Sequence, residues 1–244
     1  MAQVIQDILS IAEQEIIDTS SDNYSCFLHN KIADITSIYI NDFPYQASYA
    51  LLHDMERCFL HLLAKSLPAN SIYSEVGSWL GGSACIVAHS NPAINVNCYD
   101  PFCDVTPTKF QQKYYDKIIG EGEPRTLSAI HNIVKEFSNI NLHPVISPDG
   151  VETAEVDIYF EDGDHYDPGL KKNLNFWMPK VKNNGFMIIH DYRPWARGSN
   201  IIDRDGSNIF WNDVYNHVEL LRSNTDWKFL GFVYSMAVFK RKKN

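Results

Sequence analysis

No CxxC pair occurs in this sequence, and its five cysteines, at positions 26, 58, 85, 98 and 103, are odd in number. A disulfide scaffold is therefore disfavoured, and free thiols in a reducing compartment fit best. No apolar run approaches the ~20 residues that span a bilayer. The opening Met-Ala-Gln-Val-Ile-Gln-Asp lacks the basic segment of a signal peptide. A cytoplasmic protein without membrane contact is the expectation. Internal repeats and low-complexity segments are also lacking. Basic residues are the minority: 21 Lys and Arg stand against 30 Asp and Glu, for a net charge of −9 and a pI near 5.4. Such a chain repels phosphate backbones, which argues against nucleic acid as the main ligand. The one basic run, Lys240 to Lys243, reads as a solvated tail.

What is present is ordinary for a globular protein: 244 residues, 45% apolar and 21% charged, enough for one α/β domain with an added amino-terminal element. Residues 2–17 carry apolar side chains at roughly helical spacing. Residues 19–45 are polar, with a β-like patch at Ser37–Ile40. Residues 46–66 read as a helix with Ala50, Leu51, Met55, Phe59, Leu62 and Leu63 on one side, ended by Pro68. From residue 71 strands and helices alternate. Strands are expected at 71–76, 96–99, 143–146, 156–160 and 186–189, and helices at 82–90, 108–119, 126–138 and 168–177. Asp167 would be the N-cap of the last of these, with Pro168 at its first position. A helix over 208–223 and two closing strands at 227–233 and 236–240 complete the chain. Short apolar strands alternating with helices predict a doubly wound, mostly parallel sheet of Rossmann-like α/β type. The last two strands form an antiparallel edge hairpin. The expected division is a helical extension over 1–65 and one domain over 66–244.

Four groups of residues carry candidate chemistry. The first is Glu75-Val76-Gly77-Ser78-Trp79-Leu80-Gly81-Gly82-Ser83, between a strand and a helix. Gly77 permits a turn that a Cβ would hinder, Gly81 and Gly82 permit close approach of a ligand, and the helix N-terminus offers free N–H groups. Glu75 suits a ligand bearing an ammonium group. Alone, this is hardly distinguishable from an ordinary glycine-rich turn. The second is Asp100, at the end of the next strand, where an acid about 20 residues past a glycine loop hydrogen-bonds ribose hydroxyls. The third is Glu161-Asp162-Gly163-Asp164-His165, a charge cluster that is costly unless it binds something. The fourth is His190-Asp191-Tyr192, expected to face Asp162 across the same rim and to suit a hard cation such as Mg²⁺. For His190 alone, a hydrogen bond to a backbone carbonyl is as good a reading. Arg193-Pro194-Trp195-Ala196-Arg197 reads either as a pocket wall or as a surface loop, and Lys171-Lys172 as a solvated helix face.

In this order the four groups resemble the class I S-adenosylmethionine-dependent methyltransferases, in particular the branch of macrocin-type and other natural-product sugar O-methyltransferases. The likeness spans residues 66–244 and rests mainly on Glu161 to Tyr166, Asn183-Asn184-Gly185 and His190-Asp191-Tyr192. It implies S-adenosylmethionine as cofactor, with Gly77, Gly81 and Ser83 beside its methionine part and Glu75 reaching its ammonium through water. Asp100 would hold the ribose, Ser147 would meet the adenine, and Asp162 would border the cofactor. Asp162, His190 and Asp191 would be the metal set, with Mg²⁺ the expected ion, and Asp164 or His165 the base. His190 departs from metal-dependent relatives, which often carry an acid there. The acceptor implied is a small molecule, methylated on a hydroxyl of a sugar or natural product. Similar enzymes use an amino-terminal segment as a lid or dimer contact, so a homo-oligomer is a further expectation. A nicotinamide-dependent oxidoreductase is the alternative, but it would carry GxGxxG where this chain has GxxxG. A non-catalytic cofactor-binding protein and a metal-dependent hydrolase leave more of the charged residues unexplained.

Overall fold

The computed structural model describes residues 2–15, 17, 26–103, 107–197 and 211–243. Three helices come first: α1 (Ala2–Ala12), α2 (Phe27–Tyr39) and α3 (Asp54–Ser66). Strands and helices then alternate as β1 (Ile72–Val76), α4 (Gly82–Ser90), β2 (Asn95–Tyr99), α5 (Lys109–Ile118), α6 (Leu127–Val134), β3 (Ile140–His143), β4 (Val156–Glu161), α7 (Gly169–Trp177), β5 (Val181–Ile189), α8 (Asn212–Arg222), β6 (Trp227–Val233) and β7 (Met236–Arg241). Among the described residues no helix is long and apolar enough to cross a membrane.

The seven strands form one sheet in the order β3-β2-β1-β4-β5-β7-β6. The pairs from β3 to β5 are parallel, and β7 runs antiparallel to both β5 and β6. This is the expected Rossmann-like sheet with its edge hairpin. The central strands are apolar because both faces are covered. Ile158, Tyr159 and Phe160 of β4 and Met187, Ile188 and Ile189 of β5 are all buried. Each such side chain contributes about 1.5–3 kcal/mol relative to exposure. Helices α1, α2 and α3 share the same apolar core as the sheet: Ile5, Leu28, Ile32, Phe59 and Leu63 join one hydrophobic cluster with Phe229, Leu230 and Val238.

Several local expectations are corrected. The patch at Ser37–Ile40 is not extended; it is the end of α2 and the start of a 3₁₀ turn over Ile40–Asp42. Leu28 and Ile32, four residues apart, are buried on one side of α2, and that packing outweighs the β preference of the branched residues. The helix expected over 46–66 begins only at Asp54, after a 3₁₀ turn at Tyr45–Tyr49, and Leu51 is exposed. His53 caps α3: its Nδ1 accepts from Met55 N, while its own N–H donates to Glu56. β3 lies three residues earlier than expected, because Ile140–His143 is the segment in register with Val96–Tyr99. Helix α6 ends at Val134 rather than 138. Helix α7 opens at Gly169, with Pro168 in the capping position. Asp167 still serves its first turn by accepting from Lys171 N. The start of the helix expected at 208 lies outside the described residues.

Candidate functional site

Strand register alone lines up the site. Val76 is level with Tyr99 on one side and Glu161 on the other, and Glu161 is level with Ile189. The residues that follow these four are Gly77, Asp100, Asp162 and His190, so they fall in one row at the carboxyl edge. The ladder continues into that row: Gly77 N donates to Tyr99 O, Asp162 N to Val76 O and His190 N to Glu161 O. The strand order reverses between β1 and β4, and such sheets place ligands at that switch point. A cleft of about 1110 Å³ opens there.

The glycines of the β1–α4 turn also serve protein contacts. Gly77 has φ +85°, and a Cβ on it would stand 2.0 Å from the carbonyl oxygen of Asp162. Gly82 is pressed against the backbone of Ala50, and Gly81, the left-handed cap of α4, against Val134. Gly77, Gly82 and Ser83 line the cleft; Gly81 does not. Trp79 follows with φ +45°, Asp191 has φ +59° and Tyr234 φ +51°. These three line the same cleft, and non-glycine residues in that region mark strain that tends to collect at functional sites.

Glu75, in β1, is 1% exposed and does not line the cleft. Tyr73 OH donates to its Oε2 at 2.9 Å, while its Oε1 and the Oγ of Ser78 are buried without a hydrogen-bond partner. Burial pushes the Glu75 carboxyl up to about 7, against the nearby hydroxyls of Ser78, Tyr73 and Ser83. Buried polar atoms left unpaired are rare and point to a missing partner. Across the turn, Asp100 is 6% exposed and fully engaged on one oxygen. Its Oδ1 accepts from Phe102 N at 2.6 Å and Arg125 Nη1 at 2.8 Å, and its Oδ2 from Trp79 N at 3.0 Å. Ser147 lines the cleft and accepts from the indole N–H of Trp177.

The charged rim separates into distinct roles. Glu161 is buried beneath it, accepting from Tyr159 OH, Gly163 N and Asn173 Nδ2, and burial pushes its carboxyl up to about 7. It shapes the loop and does not face the cleft. Asp162, His165 and Asp191 each present a donor atom within 4.8 Å of the others. His165 Nε2 is 2.8 Å from Asp191 Oδ2, and Arg193 Nη2 donates to Asp191 Oδ1 at 2.7 Å. Burial would raise the Asp191 carboxyl, but His190, His165 and Arg193 hold it well below the usual carboxylate range. Burial likewise opposes charging of His165, and Asp191 and Asp162 outweigh it, so the imidazole is raised.

His190 borders the same two carboxylates, its Nδ1 lying 3.8 Å from Asp191 Oδ1. Its Nδ1 faces Asp162 Oδ1 at 2.8 Å and its Nε2 faces Ser235 Oγ at 3.2 Å and Glu56 Oε1 at 3.4 Å. Both ring nitrogens thus face protein partners, and the imidazoles of His165 and His190 both stand beside the two carboxylates. Burial disfavours charge on His190, yet Asp162, Asp191 and Glu56 together raise it well above the ordinary value. Asp164 is exposed at the cleft, with Tyr166 N donating to its Oδ1.

Sequence reading missed the residues that reach the cleft from afar. His53 and Arg57 come from the first turn of α3, Arg125 from the α5–α6 link, and Tyr234 from the β6–β7 turn, where its ring stacks on His53 at 4.2 Å. No local motif marks any of them; only the capping pair His53 and Glu56 leaves a trace in the sequence. Trp195 packs on the hairpin beside Tyr234 and Phe232 rather than lining the cleft, whereas Arg193 and Lys172 do line it.

Comparison with known proteins agrees with this fold. No curated protein sequence matches the chain. The fold matches a Podospora anserina methyltransferase solved with S-adenosylhomocysteine, at 14% identity and a TM-score of 0.54, over 99% of this chain and 96% of that one. It also matches a Streptomyces achromogenes O-methyltransferase involved in tomaymycin synthesis, solved with S-adenosylmethionine, at 14% identity and a TM-score of 0.51, over 87% of this chain and 89% of that one. At this identity these likenesses establish the fold, which is that of Rossmann-like methyltransferases. Residues 74–192, from β1 to the end of the His-Asp-Tyr group, match the family described as a methyltransferase domain.

Proposed function

We propose that this chain binds S-adenosylmethionine at the β1–α4 turn and transfers a methyl group to a hydroxyl of a small-molecule acceptor of sugar or natural-product type. The observation that carries the reading is the row Asp100, Gly77 and Asp162 at the switch point, with Glu75 buried beside it and one carboxylate oxygen unpaired. A ligand with an ammonium at one end and a ribose at the other would satisfy both acids. The methyltransferase-domain match covers all four of these residues, and two proteins of the same fold are solved with this cofactor or its demethylated product.

The bound cofactor would supply an electrophilic methyl group. The chain's own work is to orient the acceptor, exclude water and remove the acceptor's proton. Asp164, exposed at the cleft mouth, takes that proton; His165, 2.8 Å from Asp191 and raised by it, is already engaged. His53, Tyr234 and Arg57 wall the acceptor side, so the start of α3 and the β6–β7 turn form part of the cleft wall. Asp162, Asp191 and His165 are the donors that would hold a divalent ion, which would lower the acceptor hydroxyl's pKa. The nicotinamide alternative is separated by a thermal melt. S-adenosylhomocysteine should raise the melting temperature and NAD should not. A shift with NAD alone overturns the reading.

A further inference from the structure

Asp100 is the acid expected to meet a ribose, yet its carboxylate is already largely used. A carboxylate offers about four lone-pair sites, two on each oxygen. Phe102 N and Arg125 Nη1 fill both sites on Oδ1, and Trp79 N fills one on Oδ2. Arg125 also donates to Trp79 O at 3.1 Å. Arg125, Asp100 and Trp79 therefore close a ring of contacts in which the guanidinium and the carboxylate are 5% and 6% exposed. All three residues line the cleft. One acceptor site is left, on Oδ2.

We infer that Asp100 grips a single ribose hydroxyl through Oδ2, and that Arg125 is the specificity-determining residue that closes Oδ1 to the second. The inference rests on the S-adenosylmethionine reading and adds the manner in which the ribose is held. The second hydroxyl must face a weaker partner or water. Because the ring is complete without ligand, the turn at Trp79 is ordered before binding, and little ordering cost remains to be met when the cofactor enters.

The test is calorimetric binding of S-adenosylhomocysteine and its 2′-deoxy and 3′-deoxy analogues, with no acceptor needed. A hydrogen bond to a charged group is worth about tenfold in affinity or more. One analogue should bind within about twofold of the parent and the other more than about tenfold more weakly, so that the two differ by more than about fivefold. Two analogues that differ by about fivefold or less, whether both are weak or both are tight, overturn the inference while leaving the cofactor reading intact. Failure of S-adenosylhomocysteine itself to bind overturns the cofactor reading, and the inference with it. In Arg125→Met one site on Oδ1 is released, and the analogue that the parent protein tolerates should now bind about fivefold more weakly than S-adenosylhomocysteine. Unaltered discrimination in a folded Arg125→Met protein removes Arg125 from the role. Should that variant not fold, the three ligands on the parent protein still decide the first claim.

Discussion

Glu56 Oε1, on the third helix, lies 3.4 Å from Nε2 of His190, at the end of the fifth strand, while the other nitrogen of that ring faces Asp162 at 2.8 Å. Ser235 joins them from the hairpin turn, donating to Glu56 through both its N–H at 2.9 Å and its hydroxyl at 2.6 Å. Glu56 is 1% exposed and His190 6%. Burial alone would push the Glu56 carboxyl up; His190, Ser235 and the His53 N–H bring it below its ordinary value. The amino-terminal helices are thereby tied to the charged rim through a buried imidazole. A nitrogen-15 NMR titration should place the His190 pKa above its ordinary value near 6.5. Its folded pKa is raised, so its contribution to stability is complete below the unfolded value near 6.5 and is lost as pH rises through the folded value. Breaking a buried pair by removing one partner costs about 3–5 kcal/mol, the loss expected for Glu56→Ala in chemical denaturation. A His190 pKa at or below its ordinary value, or a Glu56→Ala protein of parental stability, would contradict this account.

Ligand affinity should depend on pH through Glu75. Its carboxyl is raised to about 7 in the free protein, and an ammonium favours the ionised form. S-adenosylhomocysteine should therefore bind more tightly as pH rises from 6 to 8, with proton release below about 7 that calorimetry in buffers of different ionisation heat would detect. Glu75→Gln should bind more weakly and lose the pH dependence. A parental pH profile in that variant would show that Glu75 does not meet the ammonium.

Gly77→Ala tests the closeness of the two central strand ends. The new Cβ would meet the Asp162 carbonyl at 2.0 Å, on a backbone with φ +85°. Strain of this kind together with the clash should cost about 3 kcal/mol or more. Urea denaturation reads it directly. A loss under about 1 kcal/mol would mean the turn relaxes and the row at the rim is not tightly held.

Divalent ions distinguish the two histidines. With an imidazole beside two carboxylates, the donor set moves from the all-oxygen preference of Mg²⁺ toward ions such as Mn²⁺. Mn²⁺ should raise the melting temperature more than Mg²⁺, and a chelator should reverse the rise. His165→Ala should abolish the shift. A shift that survives in His165→Ala and vanishes in His190→Ala would restore the set read from sequence order.

Chain order and periodicity were enough for the sheet, the β1–α4 turn, Asp100 and the two charged strand ends. These are local signals: short apolar strands, a glycine turn ahead of a helix, and charge placed directly after an apolar run. Parallel register then converts strand ends into one row, so Asp100, Asp162 and His190 become neighbours without any further information. Which histidine faces which acid was not legible, because a ring's direction depends on what lies behind it. Glu56 and Ser235 hold His190 from behind, and both come from segments remote in sequence. The same holds for Arg125, whose pairing with Asp100 decides how many lone pairs face the cleft, and for His53, Arg57 and Tyr234, which form its wall. The amino-terminal segment likewise reads as an unassigned extension until Ala50 is seen against Gly82. Short-range preferences act between residues a turn or a strand apart, and so the sequence by itself determined the elements and the row of acids. Hydrogen-bond saturation and burial act between segments that only the folded core brings together, and so only the tertiary structure decided what each of those acids is free to bind.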